Sequence, residues 1–425
     1  MSPANHARHR LPRSPGASRM ATSPSMRLLL LLVVVLLAIA YVVVQFVRPV
    51  PPVTASATPI STTMPGAPAS LSWPSQGEAA IGVEGTGLLA THGAQTPTPL
   101  ASVTKLMTAY VVLHDHPLTT TAPGPNITIT PADVATYQRD KAGGDSVVAV
   151  QSGEQLSERQ ALEALLIPSG DNIAALLADW DAGSETAFVA KMNAAAQQLG
   201  LTHTHYADAS GVLSGTQSTA ASQVRLAMVD MSMPAFRAIV DMAQVTLPIV
   251  GLQYNVDALL GKDGIVGVKT GYTTTAGGCF VFAQHTTIGG RPETLVGAIF
   301  RQFGTTAQPS AITEVFDATT ALIASADRAL ERTTVVRHGQ GLGHLDAPWA
   351  GSVDLEAARG VTLTGLAGQR VTATVVLPDK VNAPIPAGRD FGTAKVKVGN
   401  EQVTVPLVTS SALPSAPMSW RLTNL

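Results

Sequence analysis

Apolar residues change their spacing several times along this chain, and each change marks a different part of the molecule. Leu28 to Val47 is an almost unbroken apolar run in which Gln45 is the one strongly polar residue. At about 1.5 Å of rise per residue, such a run spans the roughly 30 Å hydrocarbon core of a bilayer. From Ala79 to Ala90 the pattern is that of two short strands around Glu84-Gly85, a β-hairpin. From residue 101 to 242 the spacing is helical. One helix starts near Ser102 and runs without a breaker to His114. Others follow over Ser157 to Leu166, from Ile173, over Glu185 to Leu199, Ala220 to Met231 and Ala235 to Met242. Ser157-Glu158-Arg159-Gln160 reads as a capping box. Between the first two helices, Ile127-Thr128-Ile129 and Ser146 to Val150 read as β-prone. Three strands then follow, Ile265 to Gly271, Cys279 to His285 and Thr294 to Arg301, and after them a helix over Ile312 to Leu330. Two strands, a helical middle, three strands and a last helix predict an α/β sandwich, an antiparallel sheet with helices on both sides. From Thr333 onwards the helical signal fades, and alternating segments predict a separate all-β domain.

The flanks of the apolar run give it an orientation. Arg8, Arg10, Arg13, Arg19 and Arg27 precede it without any acidic residue, which places that end in the cytoplasm and everything after Arg48 outside. The run is longer than the apolar part of a signal peptide, about 7–15 residues. Ala55-Ser56-Ala57 resembles a cleavage tripeptide but lies well beyond its end. An uncleaved single-pass anchor is the preferred reading and a cleaved signal peptide the alternative. Both put the remainder outside the membrane. Six prolines between Pro49 and Pro68 predict an extended, semi-stiff spacer. The expected organisation is a disordered cytoplasmic segment over 1–27, an anchor over 28–47 and a Pro-rich linker over 48–72. The α/β domain then covers 73–332, the all-β domain 333–412 and a tail 413–425.

Charge removes some functions. Only 13% of residues are charged and the net charge is -2, so nothing calls for nucleic acid. Cys279 is the single cysteine, which excludes an intrachain disulfide, and its alternating surroundings predict a packed thiol rather than a nucleophile. His203 and His205 lack a fuller ligand set, so no metal and no cofactor are expected.

The chemistry gathers in three places. Ser102 and Lys105 are three apart, on one face of a helix, where a desolvated lysine can take a serine's proton. Read alone, the pair is equally an N-cap serine and a surface lysine. A second element, Ser169-Gly170-Asp171-Asn172, lies in a loop between helices. A third, Lys269-Thr270-Gly271-Tyr272, lies on a strand. Their order and their helix, loop and strand contexts match the three signatures of penicillin-interactive serine enzymes.

From Trp73 to about Leu330 the chain resembles the D-alanyl-D-alanine carboxypeptidases, the low-molecular-mass penicillin-binding proteins. The resemblance extends to Leu100 through Thr108, Leu166-Ile167-Pro168-Ser169-Gly170, Asp208-Ala209-Ser210-Gly211 and Gly264 through Thr273. In the β domain it includes Ala383 through Gly388 and Val405-Pro406-Leu407-Val408. It implies a serine β-lactamase/transpeptidase-like fold with a helical subdomain. It also implies that Ser102 attacks the carbonyl between the last two D-alanines of a peptidoglycan stem peptide while Lys105 takes its proton. Ser169 would pass a proton to the leaving amine. The N–H groups of Ser102 and Tyr272 would hold the oxyanion, and Lys269 and Thr270 the terminal carboxylate. Gly271, lacking a side chain, would leave room for substrate along the strand. β-Lactams would acylate Ser102 by mimicry.

Two departures stand out. The family's second motif is usually Ser-x-Asn, whereas here the third residue is Asp171, which when ionised only accepts hydrogen bonds. Asp171 is expected to orient Lys105, with a helix cap as the plainer alternative and Asn172 as a substitute donor. The arginine common near the start of the last helix is missing from Gln308-Pro309-Ser310, leaving Arg301 as a candidate. A β-lactamase, an endopeptidase and a non-hydrolytic muropeptide or β-lactam sensor remain as alternatives. The β domain's protein partner is left unassigned.

Overall fold

The computed structural model of the chain describes residues 23–304, 310–399 and 401–424. Of the arginine-rich segment 1–27, residues 1–22 lie outside the described residues, as do Gln308 and Pro309. The apolar run is one helix, Pro24–Val47, exposed along its length except at Gln45. Gln45 is covered where the short helix Met418–Thr423 packs on the end of the apolar helix.

The expected free spacer is not free. Thr54–Ala57 pairs antiparallel with Gly341–Ala347, and Ile60–Thr63 pairs antiparallel with Arg370–Val376. These two short strands close the opposite edges of a seven-stranded sheet. In order across the sheet its other members are Gly341–Ala347, Gly351–Ala357, Glu401–Thr409, Asp390–Val398 and Arg370–Val376. Val53 and Met64 are buried in the same core as Leu345, Val396 and Leu407. The prolines 49–68 disguised this: Pro cannot donate to a ladder and so is tolerated at sheet edges, which is where these strands lie. The chain then crosses to the α/β part, where Ser72 N–H donates to Ser325 Oγ (2.8 Å) and Trp73 stacks on His92. The tail expected from 413 also begins later. Leu413 is fully buried and its backbone bridges Ile385.

The α/β part is built on a five-stranded antiparallel sheet. Its order is Ile265–Thr273, Gly277–Ile288, Arg291–Gln302, Glu78–Val83 and Gly87–His92. Successive side chains serve opposite faces. Phe280 and Phe282 pack with Phe316 and Leu322 of the helix Ala311–Ala329, while Val281 and Ala283 belong to the core under the helical subdomain. The strand Ile265–Thr273 is thereby left at an edge, with one side free of a ladder partner among the described residues.

Three local features differ from expectation. Pro131–Gly143 is a helix with a Thr130–Asp133 capping box and Pro at its first turn. Its weak apolar stripe hid it, although Thr130-Pro131-Ala132-Asp133 is a start signal. Ser146 to Val150 forms no strand. Its backbone is used by side chains of the second motif, as described next. A hairpin of Gln244–Leu247 and Gly251–Tyr254 was also not foreseen.

Candidate active site

The strand Thr98–Pro99 leads into a single 3-10 turn, Ala101–Thr104, and then into the helix Lys105–Asp115. The tighter turn has three residues per revolution, so residues i and i+3 eclipse and Lys105 rises directly over Ser102. Lys105 Nζ donates to Ser102 Oγ at 2.9 Å. Ala101 just before the serine is left-handed (φ 49°), and Thr104 Oγ1 donates to its carbonyl at 2.8 Å. Gly211 packs on the same carbonyl. A Cβ there would fall 1.9 Å from Ala101 O, so only glycine allows the approach.

Lys105 has no exposed surface. Its Nζ also contacts Asp171 Oδ1 at 2.5 Å and Ser210 O at 3.2 Å. With Ser102 this makes three acceptors, the number an ammonium can serve. Asp171 sits at the start of the helix Asp171–Ala182 but does not cap it with its side chain. Its second oxygen accepts from Ser146 N–H at 3.0 Å, so both oxygens face donors. Asn172 is not a substitute donor. Its amide is used on Val148, accepting from the N–H and donating to the C=O at 2.9 Å each, and the residue is buried.

Ser169 is also left-handed (φ 67°), a conformation costly for a non-glycine residue and one that recurs at functional sites. Its Oγ accepts from Lys269 Nζ at 2.9 Å, and the same Nζ donates to Thr270 O at 3.0 Å. Lys269 is almost fully buried. Burial, and then the neighbouring Lys105, hold its ammonium well below the usual lysine range, against the pull of Asp171 and Asp257. The site therefore holds two buried lysines in different states of support: Lys105 against a carboxylate, Lys269 against hydroxyl and carbonyl oxygens.

Gly271 also meets the turn that carries Ser102. A Cβ there would lie 2.9–3.1 Å from Leu100 O, Ser102 N and Val103 N. The missing side chain lets the edge strand lie against the nucleophile turn, bringing the Lys269 strand beside Ser102. Thr270 is buried, whereas Tyr272 beyond it is 52% exposed.

The sequence reading missed how the wall opposite is held. Asp208 Oδ2 accepts from Ser210 Oγ (2.9 Å), Gly211 N–H (2.8 Å) and Val212 N–H (2.9 Å), and its other oxygen accepts from Thr216 Oγ1. This carboxylate freezes the loop whose Ser210 carbonyl meets Lys105. The only hint in the sequence was Asp208-Ala209-Ser210-Gly211. Arg301 is committed to Thr98 Oγ1 (3.1 Å) and to the face of Phe303. Cys279 is buried, which pushes its thiol up to about 12.

Lys105 thus links Ser102 to Asp171, and the Ser169–Lys269 pair lies near enough for Lys269 to feel the charges of Lys105 and Asp171. The arrangement gathers a serine hydroxyl, two amines and the N–H groups of a strand edge, the kinds of group that acyl transfer uses. Residues 74–296 match the family model described as D-alanyl-D-alanine carboxypeptidase. Residues 349–415 match the model of the penicillin-binding protein 5 C-terminal domain. A D-alanyl-D-alanine carboxypeptidase of Streptomyces sp. strain K15 is 33% identical over 258 residues, 55% of this chain and 83% of that protein. A D-alanyl-D-alanine endopeptidase of Escherichia coli is 31% identical over 205 residues, 47% of this chain and 62% of its own. In fold, the chain is similar to the crystal structure of the D-alanyl-D-alanine carboxypeptidase DacD from Francisella tularensis. There the TM-score is 0.60 at 20% identity, covering 83% of this chain and 96% of that one. By the family model that spans more than half of it, and by the Streptomyces relative it largely covers, this chain belongs to the D-alanyl-D-alanine carboxypeptidase family, the low-molecular-mass penicillin-binding proteins.

Proposed function

We propose that the protein is a membrane-tethered serine D-alanyl-D-alanine carboxypeptidase that removes the terminal D-alanine from peptidoglycan stem pentapeptides. The observation that carries this is the Ser102 Oγ–Lys105 Nζ contact of 2.9 Å inside a cluster completed by Ser169 and Lys269. Lys105 is held beside Ser102 by its 2.5 Å contact with Asp171. It then takes the proton of Ser102 as the oxygen adds to the scissile carbonyl. The N–H groups of Ser102 and Tyr272 receive the oxyanion, which gains from preorganised donors in a dry site. Ser169, fed by Lys269, delivers a proton to the departing D-alanine nitrogen. Lys269 and Thr270 face the substrate carboxylate. Water then adds to the ester on Ser102 by the reverse steps and releases the shortened stem. β-Lactams enter the same path and stop at the acyl-enzyme.

The core of the seven-stranded sheet, separate from the cores on the two faces of the five-stranded sheet, supports a division into a peptidase unit ending near 332 and a β domain made from 333–413 together with the strands of 54–63. The apolar helix Pro24–Val47 supports a single-pass anchor, with the cleft outside the membrane. The test uses the full chain with a fluorescent penicillin and a stem pentapeptide. Wild type should be labelled and release D-alanine, and Ser102→Ala should do neither. Labelling without release would favour the sensor, rapid turnover of penicillin a β-lactamase, and cleavage of cross-linked dimers alone an endopeptidase. No labelling at all would end the catalytic reading.

A further inference from the structure

The strongest feature outside the cleft is the junction where the apolar helix meets the β domain. The short helix Met418–Thr423 lies along its last turns. Arg421 Nη1 donates to the carbonyls of Gln45 (3.3 Å), Phe46 (2.9 Å) and Arg48 (3.0 Å), which a helix end otherwise leaves open. Tyr41 OH donates to Leu422 O at 3.0 Å, and Arg48 Nη1 to Asn424 O at 3.4 Å. Trp420 packs edge-on against Trp349, their centroids 5.9 Å apart. Arg48 and Trp420 lie at the C-terminal end of the apolar helix, the level at which a bilayer-length helix meets the interface and Trp is favoured.

Two adjoining cavities of about 370 and 440 Å³ open at this junction and share Val50, Pro51 and Arg421. Their charged lining is Arg48, Arg421 and Lys380 against the single carboxylate of Asp379. The site is cationic, flanked by indoles, and fixed at the end of a bilayer-length helix. We propose that it holds the phosphate headgroup of an anionic phospholipid, with Arg48, Arg421 and Lys380 as its cations. Phospholipid phosphates are concentrated at the level of the helix end, and Arg and Lys side chains near a helix end reach that level. Headgroup binding then seats the β domain on the bilayer and sets the height of the cleft above it. The inference rests on the apolar helix being a retained anchor.

The test rebuilds the full chain into nanodiscs of phosphatidylcholine alone or mixed with phosphatidylglycerol and counts retained lipid by native mass spectrometry. Phosphatidylglycerol should be retained over phosphatidylcholine by about tenfold, and Arg48→Gln with Lys380→Gln should remove that preference. Lys380→Gln alone, at an exposed position, should be intermediate. Penicillin labelling of Ser102 should be unchanged in each, showing a folded peptidase unit. Equal retention of the two lipids, or a preference that survives the double substitution, would overturn the proposal. Carbonate extraction of native membranes separates the two readings. Release of a protein lacking the apolar helix ends the anchor reading, whereas a retained chain without lipid preference ends only the headgroup site.

Discussion

Asp171→Asn installs the residue usual at the third position of the second motif, yet it should weaken this protein. Asp171 accepts on both oxygens, from Lys105 Nζ at 2.5 Å and from Ser146 N–H at 3.0 Å. An asparagine offers one acceptor and one donor. With its oxygen toward Lys105, its NH2 opposes the Ser146 N–H, and that partly buried hydrogen bond is lost. Flipped, its NH2 opposes the lysine. Losing the Ser146 bond alone costs about 0.5–1.5 kcal/mol. Asp171→Ala strands Lys105, which has no exposed surface, and removing one partner of a buried ion pair costs about 3–5 kcal/mol. Thermal unfolding of the full chain should therefore rank wild type above Asp171→Asn above Asp171→Ala, each step lowering Tm by several degrees, at roughly 2–4 °C per kcal/mol for a domain of this size. Asp171→Ala should also slow penicillin acylation of Ser102 by at least about tenfold, because Lys105 loses the contact that fixes it beside the serine. An asparagine variant as stable as wild type would refute the two-acceptor argument. Undiminished acylation in the alanine variant would refute the positioning of Lys105.

Other expectations follow from the same geometry. Gly271→Ala puts a methyl 2.9–3.1 Å from the backbone of Leu100 to Val103, so the edge strand must retreat from the nucleophile turn. Acylation should fall by about a hundredfold, the effect of an ångström-scale misplacement, which stopped-flow penicillin kinetics can measure. Met64→Ala, at a site 1% exposed in the β core, should cost about 2–5 kcal/mol in thermal unfolding while Ser102 still acylates at its usual rate. Glu158 is buried with both carboxylate oxygens unpartnered, and burial raises its pKa from 4.5 to about 7. The folded state then holds this proton more tightly than the unfolded one. Stability should decline as pH rises from about 4.5 through 7, by about 1.4 kcal/mol per unit of difference at most. Denaturation at a series of pH values should show Glu158→Gln flattening that decline, and an unchanged slope would contradict it.

Much of the site was legible because its chemistry is local. Ser102 and Lys105 are a turn apart, and the capping box at Ser157 and the alternation from Cys279 to His285 follow from short-range rules. What escaped depended on long-range partners. The strands Thr54–Ala57 and Ile60–Thr63 pair with residues about three hundred positions away and carry prolines on either side, so nothing nearby distinguishes them from a spacer. Ser146 to Val150 has strand composition, but its N–H groups go to Asp171 and Asn172.

The sequence by itself determined the periods, the apolar helix, the sheet's alternation, and the residue types of the three motifs in order. Periodicity and side-chain chemistry are properties of neighbouring positions and need no tertiary information. Only the tertiary structure decided how those groups are used. Gly271 is bare because a strand packs on a turn, Asn172 is withdrawn into Val148, and Asp171 is an acid because two donors face it. Hydrogen-bond demand at a buried atom is set by whichever segments the fold brings to it, and that is not written in the spacing of a motif.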